Sequence, residues 1–286
     1  MESAGTGPAP ATAAAARSRV VEVADRLIAA QDRAELILPI TAGDPGFDVP
    51  AAYDVLDEIE GRRRRQGWQA VGRKIGFTNR TLWPRYGVFQ PMWAHLWRHT
   101  VHDAEHGRAS LPLGGMTQPR IEPEVVFKLR RPPAAAAQAA EVLAATEWIA
   151  PGFEIVHCHF PDWKFSAADC TADCGLHGQL VVGTPLRVTE QNAIALAALL
   201  RRFTLTLRRD RELIDTGGGA NVLDSPALAL AHLARLLSSQ PQFPPLSAGE
   251  IVTTGTLTDA WPVAPGDTWS SDYGALGLES LTVAFR

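Results

Sequence analysis

The pattern of hydrophobic and polar positions divides the chain into a helical first part and a sheet-rich remainder. Apolar residues recur at helical spacing over Val20–Leu36, and this period predicts an amphipathic helix. A second helix is predicted after Asp48, with Pro50 in its first turn, and its last turn carries arginines 62–65 before Gly67. Basic residues followed by glycine are typical of a helix end. The four arginines therefore indicate a solvated helix end rather than a binding patch.

From Trp68 onward the pattern changes to short runs of β-branched and aromatic residues, separated by glycine and proline. The predicted strands are Gln69–Phe77, Ile121–Leu129, Gly152–His157, Leu180–Val188, Phe203–Ile214, Ile251–Leu257 and Leu281–Phe285. Two helices are predicted among them, over Gln138–Trp148 and Pro226–Ser238. Because the strands are not each followed by a helix, a doubly wound parallel sheet is not favoured. The pattern predicts an α+β fold whose sheet-rich body forms a roll or barrel.

The domain organisation predicted from this pattern is one functional domain in three parts. Residues 1–19 contain small residues, proline and glycine, and they lack the basic-then-apolar layout of a signal peptide. We therefore expect a flexible leader over 1–19, a helical part over 20–67 and a β-rich catalytic body over 68–286. No linker is long enough to force two independent domains.

Composition narrows the class of protein. The 286 residues are 46% hydrophobic with a net charge of −4, which allows a full core and argues against a general nucleic-acid binder. No apolar run reaches the ~18 residues that a membrane helix requires. Three cysteines make a disulfide framework unexpected, so we expect a soluble cytoplasmic protein. Cys170 and Cys174 lack the tight spacing of structural zinc sites, and zinc is not favoured.

Three glutamates are the strongest candidates for chemistry. Glu122 and Glu124 lie two residues apart in a predicted strand, and alternation places them on one face. Glu154 interrupts the apolar run Phe153-Glu154-Ile155-Val156. Carboxylates in apolar surroundings are costly without a cation. Oxygen ligands suit Mg²⁺ or Mn²⁺, although a solvated strand face is the alternative for Glu122 and Glu124.

Two further segments could hold a substrate. Lys74 is one of only three lysines among the 27 basic residues, so it marks a position where arginine does not serve as well. It could bind a substrate carboxylate or transfer protons, or it could be a surface lysine on a strand. The segment Thr254-Gly255-Thr256 offers hydroxyl and backbone N–H groups at a strand end, which could bind a carboxylate.

At these residues the sequence resembles a known family, the 2-keto-4-pentenoate hydratases and 4-oxalocrotonate decarboxylases of the fumarylacetoacetate hydrolase superfamily. The resemblance runs from about Leu27 to Phe285. Its markers are Gly72-Arg73-Lys74-Ile75-Gly76-Phe77-Thr78, Gly87-Val88-Phe89-Gln90-Pro91, Ile121-Glu122-Pro123-Glu124-Val125-Val126-Phe127, Phe153-Glu154-Ile155-Val156, Asp162-Trp163-Lys164, Ala172-Asp173, Gly178-Gln179-Leu180-Val181-Val182-Gly183 and Val252-Thr253-Thr254-Gly255-Thr256-Leu257-Thr258.

The resemblance implies a fumarylacetoacetase-like mixed β-roll and a divalent metal, Mg²⁺ or Mn²⁺, bound by Glu122, Glu124 and Glu154. It implies that Lys74 lies in the active site, where it would hold the substrate and move protons if its pKa is lowered near the cation. The implied substrates are small 2-oxo or 2-hydroxydienoic acids from the degradation of aromatic compounds. The leading function is a hydro-lyase that adds water to 2-hydroxypenta-2,4-dienoate-type acids. A homo-oligomer is expected.

The chain departs from the family pattern in one loop. Asp173-Cys174-Gly175-Leu176-His177 replaces an Asp-Asn-Ala-Ser-Ser segment whose serine is thought to contact the substrate. His177 could take that polar role, or it could be a structural loop histidine. Lys164, although part of the family pattern, is interpreted as structural.

Bulky residues after Pro91 form a second departure. Trp93 and Trp97, with His95 and His99, could form an aromatic lid over an organic acid or could pack in the core. The two histidines are also the only nearby candidates for the Glu–His pair of a C–C hydrolase of acylpyruvates. That hydrolase, a 4-oxalocrotonate-type decarboxylase and a non-catalytic partner subunit remain the alternatives.

Overall fold

The computed structural model describes residues 10–80 and 83–286, and it has a mixed α+β architecture. The helices are α1 (Pro10–Arg33), α2 (Ile40–Gly43), α3 (Val49–Arg65), α4 (Trp83–Tyr86), α5 (Ala139–Ala144), α6 (Ala167–Ala172), α7 (Glu190–Arg202) and α8 (Pro226–Ser238). The strands are β1 (Ala70–Gly76), β2 (Met92–Trp97), β3 (Val101–Asp103), β4 (Arg108–Leu111), β5 (Arg120–Leu129), β6 (Thr146–Val156), β7 (His177–Val182), β8 (Leu186–Arg187), β9 (Thr204–Arg209), β10 (Glu212–Gly218), β11 (Ile251–Thr253), β12 (Trp261–Pro262), β13 (Thr268–Asp272) and β14 (Leu281–Phe285).

The strands form two mixed sheets. The larger follows the order β2-β1-β11-β5-β6-β7-β3, with β12 also pairing β5 and β8 also pairing β6. The smaller follows β10-β9-β13-β14-β4. Most neighbours are antiparallel, whereas β1 with β11, β3 with β7 and β4 with β14 are parallel. The larger sheet curls into a half-barrel, so the predicted mixed β-roll with an N-terminal helical part is confirmed.

The N-terminal helices pack as a layer of their own. One buried apolar cluster contains residues from three helices: Leu27 of α1, Val55 and Ile59 of α3, and Ala172 of α6. Asp48 caps α3 by accepting a hydrogen bond from the Ala51 N–H at 3.0 Å, as its position before the helix predicts. This layer covers the loops that follow β6, where the candidate site lies.

Residues 10–19 of the predicted leader belong to α1. Alanine is the strongest helix former, and this stretch contains Ala11 and Ala13–Ala16. Arg17 pairs with Glu58 of α3 at 3.0 Å, and Arg19 pairs with Asp44. The segment is therefore fastened to the helical layer. Residues 1–9 of the predicted leader lie outside the described residues.

Several element boundaries differ from the sequence prediction. The run predicted as one helix over 138–148 divides into α5 and the start of β6, which begins at Thr146. The run predicted as one strand over 203–214 is the hairpin of β9 and β10. Helix α7 and strand β2 were not predicted. Among the described residues, no helix is both long enough and apolar enough to span a bilayer.

Candidate metal centre

Strand register brings the three glutamates together. Glu122 of β5 lies directly opposite Glu154 of β6, and Glu124 lies opposite Gly152. One carboxylate oxygen of each glutamate lies within 4.8 Å of the others. Like charges directly opposite across a strand pair are destabilising, so this register needs a compensating cation. Within residues 10–80 and 83–286, these glutamates are the His, Cys, Asp or Glu cluster whose geometry fits a metal ion.

Each of the two innermost carboxylates has one oxygen bonded to the protein and one oxygen without a partner. Glu154 Oε1 lies 3.1 Å from Lys74 Nζ and 2.8 Å from His177 Nδ1. Glu124 Oε2 accepts a 2.7 Å hydrogen bond from the Gly255 N–H. Glu154 Oε2 and Glu124 Oε1 are buried and have no hydrogen-bond partner. Buried unpartnered acceptors are costly, and a divalent cation with oxygen ligands satisfies both.

Burial and neighbouring charges shift the pKa values of the three carboxylates in different directions. Burial raises the pKa of Glu122 to about 7, with Lys74 opposing and Glu154 adding to the shift. Burial and the charges of Glu154 and Glu122 raise the pKa of Glu124 well above its ordinary value. Burial also opposes the ionisation of Glu154, but Lys74 and His177 outweigh it and lower its pKa to about 2. Even with Lys74 beside it, the cluster therefore needs a further cation to hold three full negative charges.

Lys74 is the resident cation of the cluster. Its ammonium donates a 2.8 Å hydrogen bond to the Gly175 carbonyl oxygen as well as contacting Glu154. Burial favours the neutral amine, but Glu154, Glu122 and Glu124 outweigh it and raise the lysine pKa. Beside the three carboxylates alone, Lys74 is therefore held as the ammonium. A lysine ammonium has three N–H donors, and two contacts leave one for the cavity that Lys74 lines.

A cavity of about 230 Å³ opens beside this cluster. Lys74, Glu122, Gly255 and Thr256 line it, which places four of the predicted site residues on one space. The remaining walls come from the start of β5, the segments that follow β1, β6 and β11, and helix α6 with the turn after it. Their residues include Phe77, Thr78, Asn79, Arg120, Val156, Trp163, Phe165, Cys170, Gly175, Leu176, Asp259 and Ala260.

The Thr-Gly-Thr segment is only partly on the cavity. Gly255 has a φ of 100°, and a Cβ there would lie 1.9 Å from the Thr78 hydroxyl, so glycine is required for its N–H to reach Glu124. Thr254, which we predicted to bind substrate, is fully buried and donates its hydroxyl to the Val125 carbonyl at 3.1 Å. The Thr254 hydroxyl is thus used within the sheet, and Thr254 does not line the cavity.

His177 lies against Glu154, outside the cavity that Lys74 lines. Its Nδ1 faces Glu154, and its Nε2 lies 2.8 Å from the Thr100 hydroxyl. Its side chain is almost fully buried and lines a second, smaller cavity rather than the one that Lys74 lines. His177 therefore positions Glu154. Nothing in the local sequence of Thr100 indicates this contact with His177, which lies 77 positions away.

Neither His95 nor His99 reaches the cluster of three glutamates. His95 pairs with Glu60 of α3 at 2.6 Å, a glutamate that the sequence analysis missed because it reads as one of several acids on a solvated helix. In the β1–β2 ladder, however, Lys74 is opposite Ala94 and Arg73 is opposite His95. Alternation thus puts His95 on the other face from Lys74. His99 packs against the Trp68 ring at 4.3 Å.

The tryptophans of β2 are core residues. Trp93 is fully buried, and Trp97 is nearly so. The Trp93 ring nitrogen donates to Gln240 at 2.8 Å, and its ring packs edge-on against Phe243. Neither tryptophan lines the cavity beside the three glutamates. Of the two alternatives for these residues, core packing is the one that the structure supports.

Comparison with known proteins gives the family. The family model of the fumarylacetoacetate hydrolase C-terminal domain matches residues 94–283, which is more than half of the chain. A 2-hydroxyhexa-2,4-dienoate hydratase of Comamonas testosteroni is 31% identical over 257 residues, covering 90% of this chain and 94% of that protein. The chain belongs to the fumarylacetoacetate hydrolase family. The predicted resemblance is thereby confirmed.

Decarboxylases are also similar to this chain. A 4-oxalocrotonate decarboxylase of Pseudomonas sp. strain CF600 is 29% identical over 276 residues, covering 94% of this chain and 97% of that protein. Among solved structures, the 4-oxalocrotonate decarboxylase of Pseudomonas putida G7, complexed with magnesium and adipate, superposes with a TM-score of 0.85 at 26% identity. That alignment covers 94% of this chain and 98% of the decarboxylase. Hydratases and decarboxylases are thus both among the relatives.

Proposed function

We propose that the chain is a metal-dependent lyase that adds water to 2-hydroxypenta-2,4-dienoate-type acids, with Mg²⁺ or Mn²⁺ as its cofactor. The observation that carries the proposal is the pair of buried, unpartnered oxygens on Glu124 and Glu154, two carboxylates that cluster with Glu122. Relatives named as hydratases of such acids support the choice of substrate. A cytoplasmic location and a homo-oligomeric state stay predictions from the sequence.

Glu122, Glu124 and Glu154 would hold the cation, and this fits their chemistry. Oxygen-only donors are those that Mg²⁺ and Mn²⁺ prefer. When bound, such a cation polarises the substrate oxygens and stabilises negative charge that develops on the oxygen at C2. Three carboxylates leave positions open for a substrate with two neighbouring oxygens.

The remaining residues would orient the substrate and the carboxylates. Lys74 keeps one N–H toward the cavity, where it can donate to a substrate carboxylate. His177 and Lys74 together fix Glu154 Oε1, so the other oxygen of that carboxylate would be available to a cation. Gly255 does the same for Glu124 through its N–H. Such fixed donors preorganise the site before the substrate arrives.

The three alternative functions are supported to different degrees. Decarboxylation is the second candidate, because the 4-oxalocrotonate decarboxylases align over nearly the whole chain. An acylpyruvate C–C hydrolase is less well supported, since the Glu60–His95 pair lies on the face of β1 and β2 opposite Lys74. A non-catalytic subunit is disfavoured by the intact set of Lys74 and three glutamates.

The test is turnover by the purified protein in the presence of Mg²⁺. Loss of the diene absorbance of 2-hydroxypenta-2,4-dienoate is expected, without release of CO₂. Glu122→Gln is expected to abolish this activity and to weaken Mn²⁺ binding, because it removes a charged ligand without changing the side-chain shape. Release of CO₂ from 2-hydroxymuconate would favour the decarboxylase, and full activity of Glu122→Gln would contradict the metal site.

A further inference from the structure

Phe77 is a wall shared by two cavities. It lines the cavity of about 230 Å³ beside the three glutamates, here called the substrate cavity, and also a second cavity of about 160 Å³. The other walls of the second cavity come from Val49 at the start of α3, the segment 87–92, and Ala167 and Thr171 of α6. Within the part of the chain that the structure describes, Phe77 is the one residue that lines both. It therefore lies at the boundary between the substrate cavity and a space that the proposed reaction does not use.

The second cavity suits a hydrocarbon group. Val88 and Met92 give it apolar walls, and none of the described residues that line it carries a charge. The Thr171 hydroxyl donates to the Ala167 carbonyl at 2.8 Å, so this polar group is already used within α6. Gln90 also lines the cavity, but it is exposed to solvent. Walls of this kind bind the apolar part of a ligand rather than a carboxylate.

The backbone holds Phe77 at the boundary. Phe77 has a φ of 56°, and a bulky residue in this region of backbone conformation is uncommon and strained. Its carbonyl accepts a hydrogen bond from the Trp83 ring nitrogen at 2.9 Å. The next carbonyl, that of Thr78, accepts one from the Leu223 N–H at 3.0 Å. These contacts fix the turn after β1, as expected where the surrounding structure maintains a strained residue.

Phe77 also lies at a suitable distance to limit the length of a substrate. It follows Lys74 by three residues, which is about 10 Å along a strand. An extended chain of five carbons, with bonds of about 1.5 Å, spans roughly 5 Å. A five-carbon acid whose carboxylate lies near Lys74 and the glutamates therefore ends before Phe77. An acid longer by about four carbons would reach it.

We propose that Phe77 sets the upper length of the acid, because it closes the substrate cavity off from the apolar cavity behind it. This inference rests on the proposed function, which places the carboxylate and the C2 oxygen at the cation. The five-carbon dienoate does not meet this barrier, whereas an acid with a longer alkyl tail meets the Phe77 side chain. Replacing Phe77 by alanine would join the two cavities, and the tail of a longer acid would then occupy the apolar space.

The experiment compares a long and a short acid in the wild type and four variants. The ratio of kcat/KM for 2-hydroxynona-2,4-dienoate to that for 2-hydroxypenta-2,4-dienoate is measured for Phe77→Ala, Phe77→Leu, Ala167→Leu and the double variant Phe77→Ala/Ala167→Leu. Phe77→Ala should raise the ratio by about 10-fold or more, the value of one methylene group in an apolar pocket. Phe77→Leu, which removes less of the core, should give a smaller rise. Ala167→Leu fills the second cavity from α6, so it should keep the wild-type ratio alone and cancel the rise in the double variant.

Binding gives the same comparison without turnover. The Mn²⁺-loaded proteins are titrated in a calorimeter with 2-oxononanoate and with 2-oxopentanoate. Phe77→Ala should gain affinity for the longer acid relative to the shorter one, and the double variant should lose that gain. Wild-type affinity for Mn²⁺ in every variant shows that the replacements leave the metal site intact.

The outcomes separate this inference from the function on which it rests. If the wild type turns over the short acid but Phe77→Ala keeps the wild-type ratio, the inference is wrong and the proposed function stands. A wild type that accepts the long acid as well as the short one would also overturn it, as would a rise that survives in the double variant. A wild type that binds both 2-oxo acids but turns over neither dienoate contradicts the proposed function, and the binding ratios then decide this inference. A wild type that binds no Mn²⁺ overturns the metal site and this inference with it.

Discussion

At the scale of single residues, the main feature of the site is that the protein binds only one oxygen of each buried carboxylate, Glu124 and Glu154. Glu154 has one oxygen held by Lys74 and His177, and Glu124 has one held by the Gly255 N–H. The other oxygen of each is buried without a partner. A carboxylate with both oxygens hydrogen-bonded would be a structural anchor. One with a single oxygen held and the other left bare is a preorganised ligand.

Lys74 gives a prediction at this scale, because its two acceptors fit an ammonium and not a guanidinium. Its side chain is buried, and its Cδ lies 3.2 Å from the position a Cβ on Gly175 would take. The planar and longer arginine cannot reach the Gly175 carbonyl and Glu154 from the same place. Lys74→Arg is expected to lower kcat about 100-fold, as misplacement of a site group by about 1 Å does. Steady-state kinetics with saturating Mg²⁺ measure this.

The control for Lys74→Arg is the same replacement at a lysine outside the site. Lys164→Arg changes the same residue type on the surface, and it should keep wild-type kinetics. Turnover by Lys74→Arg at the wild-type rate would show that the ammonium is not needed at this position.

At the scale of elements, the β5–β6 pair forms the base of the site. The Tyr273 hydroxyl joins the two strands beside Glu124, lying 2.8 Å from the Glu124 carbonyl, 3.1 Å from the Gly152 carbonyl and 3.2 Å from the Gly152 N–H. Tyr273 is fully buried and comes from the smaller sheet's side of the core. The position of Glu124, one of the proposed metal ligands, thus depends on a contact between the two sheets.

Removing this hydroxyl is expected to destabilise the fold and loosen the site. Tyr273→Phe leaves buried backbone groups without a partner, which costs about 1–3 kcal/mol in free energy of unfolding. Urea denaturation measures the loss, and Mn²⁺ titration should show weaker binding. Tyr53→Phe is the control, because the Tyr53 hydroxyl accepts from the buried Trp93 N–H at 3.2 Å, on the Arg73 face of the sheet. It should lose stability but keep its Mn²⁺ affinity. A Tyr273→Phe protein as stable as the wild type would contradict this role.

The sequence was informative where a local rule decides the structure. Alternation along 121–129 predicted the strand and the shared face of Glu122 and Glu124, and the capped apolar period predicted α3 and α8. The rest depends on contacts distant in the chain. Glu60 reads as a solvated helix acid until His95 of β2 is packed against it, and the Thr100–His177 contact joins residues 77 positions apart. No local pattern encodes such pairs.

At the scale of the molecule, one site is assembled from strands spread over most of the chain. Lys74 comes from β1, two glutamates from β5, one from β6 and the Gly255 N–H from the segment after β11. Each strand alone would leave its polar group buried without compensation. The fold therefore concentrates negative charge at the centre of the larger sheet, and a cation bound there should stabilise the folded state over the unfolded one.

Titration of the purified protein with Mn²⁺, followed by electron paramagnetic resonance, tests the central claim most directly. We expect one tightly bound Mn²⁺ per chain in the wild type and in Glu147→Gln, an exposed glutamate on the same strand as Glu154. Glu154→Gln should weaken binding by more than about 100-fold, the upper end of what the loss of an outer partner costs. Absence of a bound Mn²⁺ in the wild type, or equal affinity in Glu154→Gln, would contradict the account.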